Sequence, residues 1–153
     1  MKKFKFKLEA VLRYRKYKER LAQLELVKIK NAVIQKQLVI KKLSTDRRLV
    51  TIKLKEKEDE GITMGQFRIY TMYIEGLEIK IEEETKELNR LIQKMRRQQE
   101  VVKQERIKKK SLERMEEIAQ QTYIQTMIKA EQKLMDEIAG LKRKTEKEET
   151  SHA

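Results

Sequence analysis

Side chains able to do acid–base or nucleophilic chemistry are scarce in this chain. Its single histidine, His152, stands next to the last residue, and there is no cysteine. A catalytic base must be held from several sides, which a chain end does not provide, so His152 reads as part of a tail. The lack of cysteine removes thiolate nucleophiles, a disulfide framework and the usual thiolate metal sites, and fits a reducing compartment. No phosphate-cradling glycine loop and no H-E-x-x-H pair occurs. The acidic runs "EKEDE" (56–60) and "IEEETKE" (81–87) hold enough carboxylates for a cation. They lack the alternating ligand spacing and central glycine of a calcium loop, and read as solvated helix surface. The expectation is a protein that is not an enzyme, with no catalytic residue, metal site or cofactor.

What the chain does have is positive charge. The net charge is +13, with basic clusters at "KKFKFK" (2–7), "RYRKYKER" (13–20), "KMRR" (94–97) and "RIKKK" (106–110). Such charge gives salt-dependent, sequence-independent affinity for phosphate backbones, so a nucleic-acid-binding coiled coil is one function class to weigh. Against it, the basic residues are spread along the chain among glutamates, and Tyr14 and Tyr17 fall on an apolar stripe rather than standing as stacking platforms. An acidic protein partner suits the same charges. A filament-forming helical protein is a third class.

These side chains must be carried by helices. Charged residues make up 41% of the chain and aromatics 5%, with no proline and no tryptophan, so too little bulky apolar material is present for a globular core of this length. No run of about 18 apolar residues could span a bilayer, and the start lacks the apolar region of a secretory signal. A cytoplasmic protein is expected. Without proline, glycine is the only punctuation, and "EKEDEGITMGQF" (56–67) combines Gly61 and Gly65 with a helix start in which Thr63 can cap the N–H of Gln66. The sequence therefore predicts an all-α fold. It is a long antiparallel two-helix coiled-coil hairpin over 1–153, with a helix over about 4–58, a turn near 59–62 and a helix over about 63–147. At 1.5 Å per residue the helices are about 80 and 125 Å long.

In the second helix Phe67, Tyr70, Ile74, Leu77, Ile81, Leu88, Leu91, Met95 and Val102 follow 3,4 spacing, interrupted by Glu84 and Gln98. In the first helix Ala10, Tyr14, Tyr17, Leu21 and Leu24 begin a comparable stripe, which Val27, Ile34, Leu38, Leu49 and Ile52 continue at 100° per residue. Leu26, Ile29, Val33, Ile40, Leu43, Val50 and Leu54 lie almost opposite. Leu8, Val11, Leu21 and Leu24 are expected to help hold the helices together, and one of the two faces is left for a partner or a second copy. Pairing about Gly61 exhausts the first helix opposite about residue 118, leaving an overhang of ~30 residues or ~45 Å. On that overhang Tyr123, Met127, Ala130, Leu134, Ile138 and Leu141 form an apolar arc, which reads either as a peg for a cavity in another protein or as an overhang that dimerises or frays.

Three segments together resemble the flagellar export protein FliJ family. They are the opening "FKFKLEAVLRYRKYKE", the mid-chain "GITMGQFRIYTMYIEGL" and the C-terminal "EQKLMDEIA" (131–139), in family order and spacing and covering nearly the whole chain. The resemblance implies a cytoplasmic part of the flagellar type III export apparatus, peripheral at the inner face of the cell membrane. It implies a stalk-like coiled coil that inserts into the hexameric export ATPase, contacts the export-gate membrane protein and associates with export chaperones. Carried over onto this chain, Glu131, Asp136 and Glu137 join Tyr123, Met127 and Leu134 as ATPase-binding candidates. Tyr73 and Leu77 match the aromatic and leucine of the gate-contacting stripe. Lys80 and Glu84 complete the gate-binding set, but depart from the small residue and histidine of the family pattern.

Overall fold

A computed structural model of the chain describes residues 2–152, so the two terminal residues of the expected 1–153 hairpin lie outside it. Among the described residues there are two helices and no strand: α1, Glu9–Glu60, and α2, Met64–Ser151, packed against each other. The link is residues 61–63. Gly61 adopts a φ of 85° and donates its N–H to the carbonyl of Glu58 at 3.1 Å, closing the C-terminus of α1 in the left-handed conformation that only glycine takes without strain. A Cβ at Gly61 would meet nothing within 4 Å, so it is the conformation and not space that requires glycine. Thr63 then caps α2, its Oγ1 accepting the Gln66 N–H at 3.2 Å.

By tertiary contacts the chain divides into two units, residues 18–105 and residues 2–17 with 106–152. In the hairpin unit Ala22, Ile29, Val33 and Leu54 of α1 are buried with Leu77 and Val102 of α2. Leu26, Ile40, Leu43 and Val50 are half-buried, as are Phe67, Tyr70, Ile74, Ile81, Leu88, Leu91 and Met95. The seam of α2 is the expected one. The seam of α1 is the opposite of the expected face: Leu21, Leu24, Val27, Ile34, Leu38, Leu49 and Ile52 stay 42–55% exposed.

Register explains the difference. The winning face runs through residues 22, 26, 29, 33, 36, 40, 43, 47, 50 and 54 in unbroken 3,4 spacing, interrupted only by Lys36 and Arg47. Lys36 meets Glu84 at 2.6 Å and Arg47 meets Glu78 at 2.7 Å, so each interruption has a carboxylate on α2. Gln98, the other polar residue in the α2 seam, donates its side-chain N–H to the carbonyl of Ala22 at 3.0 Å. The other face breaks five times, at Lys28, Asn31, Gln35, Lys42 and Thr45. Angle counting at 100° per residue drifts by about 20° per heptad and blurs this distinction over a long helix.

In the terminal unit α1 starts at Glu9, later than the expected residue 4. The reason lies in the period. Phe4, Phe6 and Leu8 are half-buried while Lys3, Lys5 and Lys7 are exposed, an alternation that suits extended backbone and not a helix. Phe4 packs on Tyr123 of α2 with ring centroids 5.5 Å apart and planes tilted by 50°, and the Tyr123 hydroxyl donates to the carbonyl of Lys2. Leu12 is the most buried residue here, at 3% exposure, whereas Val11, Tyr14 and Tyr17 are exposed. Leu8 thus contributes to packing as expected, and Val11 does not.

Candidate partner-binding surfaces

Near the turn, Ile69, Met72, Tyr73 and Ile79 are all exposed on α2, at spacings that place them on one outer face with Gly76 and Lys80. Beside them the side chains of Val39, Lys42, Leu43 and Asp46 on α1 complete a cleft of about 680 Å³ that Tyr73, Gly76, Leu77 and Lys80 line from α2. A Cβ at Gly76 would have no heavy atom within 4 Å, so the cleft is open at this position. Of the gate-binding candidates, Tyr73 is 54% exposed and Lys80 is exposed, so both present atoms to a partner. Leu77 is buried at 8% and supports the cleft floor from the seam. Glu84 is half-buried and held by Lys36. Ile69, Met72 and Ile79 lie off the strongest apolar stripe of α2, so the spacing of that stripe does not mark them. Their i, i+3 and i+10 spacing was the available signal.

One turn further along, the Arg90 guanidinium donates to Glu87 at 3.0 Å and holds its carboxyl below the usual carboxylate range, while Arg90 is raised by the same bond. Both side chains are largely open to solvent, which makes this an ordinary surface pair.

In the terminal unit the extended segment and α2 enclose a cleft of about 1040 Å³, lined by Lys2 through Leu8 and by Met115, Ala119, Thr122, Tyr123 and Thr126. Tyr123 is half-buried here and engaged by the chain's own N-terminal residues, and Met127, one turn on, is half-buried too. From Ile128 to His152 every residue is exposed. This stretch holds Glu131, Leu134, Asp136 and Glu137. Leu134, Ile138 and Leu141 share one arc of the helix, with Glu131 and Glu137 about 60° to its two sides, whereas Asp136 falls on the opposite side. The structure therefore separates the ATPase-binding candidates into a packed pair and an open group.

Among the described residues no cluster of His, Asp or Glu is arranged to hold a metal ion, and no helix is long and apolar enough to cross a membrane. What the two surfaces offer is apolar contact area rimmed by charge, the chemistry of protein recognition. Comparison with curated proteins and with solved structures returned no match. The family model of the flagellar FliJ protein matches residues 4–148. The chain belongs to the FliJ family. Membership makes it a component of the flagellar export apparatus, in a family whose members are structural rather than catalytic. Two long packed helices without strands are the fold that the family resemblance implies.

Proposed function

We propose that this FliJ-family chain acts in the cytoplasm as a stalk-like coiled coil, peripheral at the inner face of the cell membrane. It binds the hexameric flagellar export ATPase through the last part of α2, contacts the export-gate membrane protein through the surface around Tyr73, and associates with export chaperones. One observation carries the ATPase reading. The α2 stretch beyond Ile128 is helical and wholly exposed, yet it displays Leu134, Ile138 and Leu141. Exposed apolar side chains in one arc mark a surface that is covered in the working state. Glu131 and Glu137 flank that arc and supply its polar rim. Tyr123 acts one step back, anchoring the N-terminal segment.

Removal of residues 129–153 tests this reading. The truncated chain keeps Tyr123 and its contacts, so circular dichroism should show the remaining helix intact while stimulation of ATP hydrolysis by the purified export ATPase disappears. Full stimulation by the truncated chain would remove the peg from the mechanism.

A further inference from the structure

We propose that the outer face of α1 between Leu21 and Leu38 is a docking site for an acidic amphipathic helix of a partner protein. The site lies entirely in the hairpin unit, uses none of the residues assigned to the ATPase or the gate, and stands independently of those assignments. Leu21, Leu24, Val27, Ile34 and Leu38 are each 42–55% exposed, although the opposite face of the same helix already supplies the hairpin core. Leu21, Leu24, Lys28, Asn31, Gln35 and Leu38 keep 3,4 spacing, and Val27 and Ile34 widen the stripe at its side. This is the pattern of a helix-packing seam, about 26 Å long at 1.5 Å per residue.

Charge selects the occupant. From Arg20 to Lys41 the chain carries Arg20, Lys28, Lys30, Lys36 and Lys41 against one carboxylate, Glu25, and Lys36 is consumed by Glu84 in the core. A second copy fits poorly. In a parallel pair Lys28 would meet its own twin within the seam, and in an antiparallel pair that joins Leu21 to Leu38 the flanking Arg20 would face Lys41. Chains of net charge +13 also repel each other at long range. A partner helix bearing leucines at 3,4 spacing and glutamates on its flanks covers the stripe and gives Lys28 and Lys41 counter-charges. Nucleic acid is a weaker match, because the stripe is aliphatic and offers no ring for a base to stack on.

The probe is a synthetic three-heptad peptide with leucine at both seam positions and glutamate on both flanks, titrated against the full chain by fluorescence anisotropy. Binding should fall at least about tenfold for Leu24→Glu and for Lys28→Glu, with helicity unchanged because both side chains are exposed. A peptide with lysine opposite position 28 should restore affinity for Lys28→Glu, and Met64→Glu, at an exposed position outside every proposed surface, should bind like the natural chain. Equal binding by natural chain and Leu24→Glu would reduce the effect to general attraction by a basic protein and overturn the site. So would a dimer in sedimentation equilibrium that Leu24→Glu dissolves, or binding to phosphatidylserine vesicles that depends on Leu24, since each assigns the stripe to a different occupant.

Discussion

Lys36 and Glu84 show how a single pair can settle a fold. Each is a break in an otherwise apolar seam, and each makes sense only opposite the other, at 2.6 Å with both side chains about a quarter exposed. Removing one partner leaves the other half-buried without its counter-charge. Glu84→Ala should therefore destabilise the hairpin by about 1–2 kcal/mol in urea unfolding, less than a fully buried pair because water reaches this one. Replacing Lys36 and Glu84 together by Leu should recover that loss. Tyr73 works at the same scale but outward. Its ring is 54% exposed beside an open cleft, so Tyr73→Ala should leave helicity unchanged. If Tyr73 anchors the export gate, calorimetry with the gate's cytoplasmic part should show affinity weakened by about 2 kcal/mol. Unchanged affinity would leave Tyr73 as cover for the cleft.

At the scale of the element, α1 is a helix with two apolar faces, and the structure distinguishes them energetically. Ile29 is buried at 5% while Leu24 is 55% exposed. Ile29→Ala should cost about 2–4 kcal/mol and Leu24→Ala under about 1 kcal/mol, measured by the same unfolding curves. A reversal of that order would restore the face that angle counting favours. The turn is the second element-scale determinant. Gly61→Ala puts a Cβ at a φ of 85° and should cost about 1 kcal/mol, and Thr63→Ala, which loses the cap on Gln66, a similar amount.

For the whole molecule, charge is the dominant property. The basic clusters are spread over the N-terminal segment and both helices, and the helices also carry carboxylates such as Glu78, Glu84 and Glu87, which already engage Arg47, Lys36 and Arg90. Affinity for random-sequence DNA should therefore be weak and should vanish between about 50 and 200 mM salt, as purely electrostatic binding does. Tight DNA binding at 200 mM salt would favour the nucleic-acid reading over a protein-export role. The FliJ family match accounts for a chain built almost wholly of helix surface, because a component that works by contacting other proteins needs area and charge more than it needs an enclosed interior.

The sequence by itself determined the two helices, the turn at Gly61 with its Thr63 cap, the seam of α2 and the family. Each is written in local terms: 3,4 spacing, a glycine that ends a helix, a hydroxyl three residues before an N–H, and motifs in order. The N-terminal segment was legible too, in the two-residue alternation of Phe4, Phe6 and Leu8, but the helix signal that follows it hid its extended form. The core face of α1 was also legible, in its less interrupted 3,4 spacing, although counting at 100° per residue blurs it. Only the tertiary structure decided how its breaks at Lys36 and Arg47 are filled, because that depends on α2 placing Glu84 and Glu78 opposite them. It also decided that Tyr123 is engaged by Phe4 and Lys2 while the residues from Ile128 onward stay open. Partners that meet across more than a hundred residues of chain leave no periodicity in the sequence between them.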